Sequence, residues 1–226
     1  MCAVPSVHIE EVTVTPYYQD DWATIYHGDC REILPELPKA DLVLTDPPYG
    51  VGFVYEGGSD DIGPAVDAVA GFATAGIDVL LTPGISNICA YPQPRWVLSW
   101  LKTNSMGANR LSGPQAVSRN LWEPVFFYGH YPKNPPSRDI IHAPIAAGKD
   151  KWGHPCPKPL PLFLALVGIG SDEHGTVLDP FMGSGTTLRA AKDLNRHSIG
   201  IEIEERYCEI AANRLAQEVL DFGGAT

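Results

Sequence analysis

Residues 175–203 read GTVLDPFMGSGTTLRAAKDLNRHSIGIEI, and this stretch decides the fold. GTVLDPF (175–181) is a strand candidate that stops at Asp-Pro, and GTTLRAAKDLN (185–195) has helical patterning. SIGIEI (198–203) is a second strand, and EERYCEIAANRLAQEVL (204–220) is a long amphipathic helix. A β-α-β-α run with short connections predicts right-handed parallel crossovers. The expected fold class is therefore α/β, with a doubly wound, mostly parallel sheet.

Working back from there, ATIYHGD (23–29), ADLVLTD (40–46), IDVLLTP (77–83), ISNICAY (85–91) and EPVFFYG (123–129) are further strand candidates. ADLVLTD is apolar without alternation, as in a strand covered on both faces. CREILPELP (30–38), residues 64–76 and PLPLFLALVGIGS (159–171) have helical character. Four of these strands end in acids, Asp29, Asp46, Asp179 and Glu202. Placed side by side in a parallel sheet, the acids gather on the carboxyl edge, where ligands bind and where repulsion must be offset.

At 226 residues, 44% hydrophobic and 19% charged, the chain suits one domain over 1–226. The 21 prolines and 22 glycines are dispersed, which favours ordered turns over low complexity. No basic segment followed by an apolar run opens the chain, and no stretch nears the roughly 20 apolar residues of a membrane span. A cytoplasmic location follows by default. Cys2, Cys30, Cys89, Cys156 and Cys208 are far apart and odd in number, so reduced thiols are expected rather than a disulfide framework. His154 and Cys156 lack further ligands at suitable spacing, so no metal site is expected.

The net charge of −11 opposes a polyanion at long range, but its distribution is uneven. Between residues 95 and 138, Arg95, Lys102, Arg110, Arg119, Lys133 and Arg138 face a single acid, Glu123. With Lys149, Lys151 and Trp152, they are the candidate DNA contacts, although a charge run also suits a plain solvated face.

Gly183 and Gly185 lie between a strand and a helix, where glycine admits positive φ and a close ligand. Thr186 or Thr187 is placed to cap the helix. No Gly-Lys-Ser/Thr follows, so this is no phosphate loop, and Leu188 occupies the third small position of a dinucleotide fingerprint. Glu202, 17 residues past Gly185, has the spacing of a carboxylate that grips ribose hydroxyls. A nucleoside without a diphosphate fits.

TDPPYG (45–50), HPCPKP (154–159), VLDPFMGSGTT (177–187) and IGIEIEERYCEIAANRL (199–215) together resemble the S-adenosylmethionine-dependent DNA amino-methyltransferases, which methylate adenine N6 or cytosine N4. Their order, D-P-P-Y first and glycine loop last, resembles the β class, a circular permutation of the class I methyltransferase sheet. The resemblance spans 23–50 and 152–217. It implies that Asp179, Phe181, Gly183, Gly185 and Thr186 hold the methionine moiety, that Glu202 binds the ribose, and that Asp29 lies by the cofactor adenine. His154 and Lys158 belong to the same cofactor set, Lys158 pairing with the cofactor carboxylate. Cys156 departs from the commoner H-P-T-x-K-P.

An exocyclic base amine is a poor nucleophile because its lone pair is delocalised into the ring. Two acceptors aimed at its protons favour a pyramidal nitrogen, and Asp46 with the Pro47 carbonyl supplies them. Pro47 and Pro48 stiffen the turn, and Tyr49 offers a ring for stacking. A duplex base reaches such a pocket only when flipped out. In this family D-P-P-Y leans towards adenine and S-P-P-Y towards cytosine. Adenine N6 in double-stranded DNA is the expected target, in a restriction-modification setting, with cytosine N4 as the alternative. A non-catalytic module and a small-molecule methyltransferase are the competing classes. Only 129–153 is left for a target-recognition insert, which implies a short site, relaxed specificity or a homodimer that shares the work.

Overall fold

The computed structural model describes residues 14–50, 61–104, 120–145 and 158–217. Its described strands form one sheet: β1 (Tyr18–Gln19), β2 (Ala23–His27), β3 (Leu42–Thr45), β4 (Asp78–Leu81), β5 (Trp96–Lys102), β6 (Trp122–Tyr128), β7 (Ile140–Ala143), β8 (Thr176–Asp179) and β9 (His197–Glu202). They lie in the order β1-β2-β9-β8-β3-β4-β6-β5-β7. The central run β2-β9-β8-β3-β4 is parallel throughout, and β6 enters antiparallel to both β4 and β5.

Among the described residues five α-helices cover the sheet: α1 (Cys30–Ile33), α2 (Gly63–Thr74), α3 (Leu160–Gly170), α4 (Thr186–Asp193) and α5 (Glu205–Ala216). The non-alternating strand β3 explains the layering. Leu42 and Leu44 pack with Leu162, Phe163 and Leu166 of α3, while Val43 packs with Val69 of α2 and Ile33 of α1. All of these but Val69, Phe163 and Ile33 are wholly shielded from solvent, and those three nearly so. Each fully buried aliphatic side chain contributes roughly 1.5–3 kcal/mol, which makes β3 a fixed platform for the residues that follow it. α5 closes the same face as α3 and α4, over Ala23, Ile25 and Leu188. The fold is the doubly wound α/β arrangement expected.

Several local expectations change. Of 85–91, expected as a strand, Ile85–Asn87 is a 3₁₀ turn. Gly84, at φ 70°, has already turned the chain off the direction of β4. The helix at 30–38 is split into α1 and a 3₁₀ turn at Leu34–Glu36, with Pro35 inside the latter. β5 and β7 were not singled out from sequence; β7 lies within 129–153, so part of that stretch is sheet edge, paired parallel with β5. Residues 146–153 lie outside the described residues. Among the described residues no helix is long and apolar enough to cross a membrane.

Candidate active site

The four strand-end acids fall on adjacent parallel strands. Across β2, β9, β8 and β3 they run Asp29, Glu202, Asp179, Asp46, along one carboxyl edge. Their repulsion is managed by giving each its own donors.

Asp179 is buried, and three donors reach it. Thr45 Oγ1 (2.7 Å) and the Phe181 amide (3.1 Å) bond Oδ1, and the Thr187 hydroxyl bonds Oδ2. Burial pushes its carboxyl up to about 6, against the pull of those bonds. Glu202 Oε2 accepts from the Gly183 amide and Oε1 from the Glu204 amide, both at 2.9 Å. Burial again dominates and pushes this carboxyl up to about 7. Asp29 caps α1 through the Arg31 amide and pairs with the Arg31 guanidinium, which holds its carboxyl below the usual range.

Between β8 and α4 the chain turns through Gly183 (φ 51°) and Gly185 (φ 75°), both left-handed. A Cβ on Gly185 would stand 2.8 Å from the Ala211 Cβ of α5. Gly185 is itself the residue that caps α4, and no side chain does so. The expectation that Thr186 or Thr187 caps the helix is corrected. Thr187 is drawn to Asp179, and Thr186 Oγ1 accepts from Arg214 Nη1 at 3.0 Å. The open α4 amino end is left beside a carboxylate already positioned by Gly183.

Asp46 follows β3 directly. Its Oδ1 receives Thr82 Oγ1 and the Tyr49 hydroxyl, both at 2.5 Å, and Lys158 Nζ at 3.0 Å. Among the described residues no hydrogen bond is directed to Asp46 Oδ2 or to the Pro47 carbonyl. One oxygen of the carboxylate is therefore anchored while two acceptors stay open. Tyr49 is held at both ends. Its carbonyl accepts from Asn87 Nδ2 at 2.8 Å, and the phenol end of its ring lies on Gly84, where a Cβ would come within 3.3 Å. The 3₁₀ turn at Ile85–Asn87 thus serves to position Tyr49.

Lys158, expected beside the cofactor carboxylate, is built into this corner. It donates to the Tyr49 hydroxyl, forms an ion pair with Asp46, sits 4.7 Å from the Tyr49 ring centre, and lies 3.8 Å from Glu123 Oε2. Burial opposes its charge, but Asp46, Tyr49 and Glu123 together raise its pKa well above the ordinary lysine value. Lys102, expected on a DNA-facing surface, is also turned inward. Its side chain is 10% exposed and its ammonium is 2.6 Å from Glu123 Oε1. Arg95, Lys133 and Arg138 are exposed; Arg110, Arg119, Lys149, Lys151, Trp152 and His154 lie outside the described residues.

Sequence reading missed Thr45, Thr82, Tyr91 and Glu123, and it gave Thr187 a capping role in place of its bond to Asp179. Tyr91, on the same side as Asp46, has a buried hydroxyl with no hydrogen-bond partner. Burial first, and then the charge of Asp46, push it up to about 12. Only Glu123 carried a signal, as the one acid within a basic stretch.

The family model for DNA methylases that modify N6 or N4 matches residues 97–213, more than half of the chain. The chain belongs to this N6/N4 DNA methylase family. The methylase is 28% identical over 270 residues to the Type II methyltransferase M.ScaI of Streptomyces caespitosus, covering 93% of this chain and 86% of that protein. The M1.HpyAVI–SAM complex superposes with a TM-score of 0.67 at 26% identity, covering 86% of this chain and all of that one. The cytosine-N4-specific PvuII DNA methyltransferase has the same fold, with a TM-score of 0.66 at 15% identity over 92% of this chain and 91% of that one. The methylase is a DNA amino-methyltransferase, and S-adenosylmethionine is its cofactor. Its residues suit that group: a turn with left-handed glycines at 183 and 185, an open helix amino end, and a carboxylate, Glu202, beside them.

Proposed function

We propose that this methylase modifies the exocyclic N6 of an adenine flipped out of double-stranded DNA. The observation that carries the reading is the Asp46 carboxylate, tethered through Oδ1 and open at Oδ2, on the strand next to the glycine loop. D-P-P-Y, with aspartate first, supports adenine over cytosine.

When bound, S-adenosylmethionine supplies an electrophilic methyl group on a sulfonium. Asp29, Phe181, Glu202 and the 183–186 turn bind and orient the cofactor, and His154 completes the set. Asp46 Oδ2 and the Pro47 carbonyl each accept a hydrogen bond from one N–H of the amine, which localises the nitrogen lone pair and stabilises the positive charge that develops there. The Pro47 and Pro48 rings hold φ near about −65°, so both acceptors are aimed before the base arrives. Preorganised acceptors of this kind are worth roughly 100- to 1000-fold in rate apiece. Tyr49 bounds the base pocket on the Gly84 side. Arg95, Lys133 and Arg138 contact phosphates, with Arg110, Arg119, Lys149, Lys151 and Trp152 contributing from 129–153 and the preceding segment. Target recognition rests on a short site, on relaxed specificity or on a homodimer that shares the work, and the enzyme works in the cytoplasm as the modification half of a restriction-modification pair.

Cytosine N4 is the second reading, because the same acceptor pair suits any exocyclic amine beside a ring nitrogen. Expression in a methylation-deficient host, with modified bases mapped by single-molecule sequencing, separates the two. N6-methyladenine at a recurring site, absent with Asp46→Ala, is expected. Modified cytosines would transfer the assignment to N4, and unmodified DNA from a well-expressed protein would sink it.

A further inference from the structure

Beside Asp46 lies a chain of alternating charges that sequence motifs do not describe. Asp46 Oδ1 is 3.0 Å from Lys158 Nζ, Lys158 Nζ is 3.8 Å from Glu123 Oε2, and Glu123 Oε1 is 2.6 Å from Lys102 Nζ. Glu123 lies on β6 in register with Trp100 of β5, so the sheet fixes its place. Its side chain is 13% exposed, and Oε2 is a buried oxygen that accepts no hydrogen bond. Buried carboxylate oxygens are normally satisfied, and one left open deserves a cause. Lys158 Nζ, at 3.8 Å, is close enough to attract it and too far to bond.

We propose that Glu123 is a positioning residue for methyl transfer, acting through Lys158. This rests on the reading of Asp46 as the acceptor of the target amine. An ammonium shared between two carboxylates can tether Asp46 Oδ1 without centring on the carboxylate and closing Oδ2. Held by Asp46 alone, the same ammonium would straddle both oxygens, neutralise the charge that should meet the amine, and compete with the substrate. Glu123 draws it off, and Lys102 in turn keeps Glu123 ionised: burial opposes that charge, but Lys158 and Lys102 together hold the carboxyl below its usual range. When the amine engages Asp46, Lys158 has a vacant acceptor towards which to move.

The test measures single-turnover methylation, KM for both substrates and thermal midpoint for Glu123→Gln, Lys158→Met and their double variant. Glu123→Gln is expected to lower kcat by about 10- to 100-fold, the loss of one ionic attraction in a buried site, and to leave KM for S-adenosylmethionine within about twofold. Because Glu123 acts through Lys158, the double variant should be no slower than Lys158→Met alone. Losses that multiply, or a Glu123→Gln enzyme with unchanged kcat, overturn the proposal. Should Glu123→Gln unfold, Glu123→Gln with Lys102→Met removes both members of the structural pair. Recovery of the fold without recovery of kcat supports positioning, and recovery of both shows that Glu123 serves only Lys102. A wild type that transfers methyl to no DNA sinks the functional reading and this role together, whereas an active wild type indifferent to Glu123 sinks the role alone.

Discussion

Thr45 Oγ1 donates a 2.7 Å hydrogen bond to Asp179 Oδ1 across 134 residues of chain. Thr45 precedes Asp46, and Asp179 opens the turn that leads to Gly183 and Gly185, so one hydroxyl joins the two halves of the site. Thr45→Val keeps the shape and removes a donor from a buried carboxylate. Such a loss costs about 1–3 kcal/mol, expected as a lower urea midpoint with unchanged slope, while Thr45→Ser retains most of the stability. Equal midpoints for the Val and Ser variants would show the bond to be idle.

Glu202, in the ribose-binding role proposed for it, should make cofactor binding and stability depend on pH in opposite senses. Its folded carboxyl, at about 7, lies above the 4.5 of an unperturbed glutamate. Between those values the native protein keeps a proton that the unfolded chain has released. Stability therefore falls as pH rises through that window and levels off above it. Asp179 adds a fall of the same sign between 3.8 and about 6. As acceptor for ribose hydroxyls, ionised Glu202 should strengthen S-adenosylmethionine binding up to about pH 7, by up to tenfold per pH unit. Calorimetric titration across this range checks it, and Glu202→Gln should flatten the curve.

Gly185→Ala meets two obstacles, a left-handed φ of 75° and a Cβ only 2.8 Å from the Ala211 Cβ. A strained backbone of this type costs on the order of 1–3 kcal/mol. The expected result is a lower thermal midpoint together with weaker cofactor affinity, because α5 must move or the turn must open. An unchanged midpoint would mean that α5 yields freely.

The inward turn of Lys102 separates it from the exposed cations. Arg138→Ala should reduce the dependence of log DNA affinity on log salt by roughly 0.9, the share of one phosphate contact. Lys102→Met should leave that slope as it is, since its ammonium is engaged with Glu123. Binding measured between about 50 and 200 mM salt distinguishes the two; a smaller slope for Lys102→Met would place it on the DNA after all.

The amino-acid sequence by itself determined the α/β class, the burial of β3 on both faces, the glycine turn and the row of acids at strand ends. Those depend on local rules: apolar runs, short crossovers, and residues that only certain backbone shapes accept. Only the tertiary structure decided which donors answer those acids. Thr45 and Thr82 are ordinary β-branched residues until strand order brings them to Asp179 and Asp46, and Thr187 until the turn from β8 into α4 sets it on Asp179. Lys102 is one cation of a basic stretch and Lys158 one residue of HPCPKP until β6 sets Glu123 between them. A buried charge takes its meaning from the partner that satisfies it, and for Glu123 with Lys102, Asp46 with Thr82 and Asp179 with Thr45 that partner lies 21, 36 and 134 residues away, beyond the reach of any spacing rule.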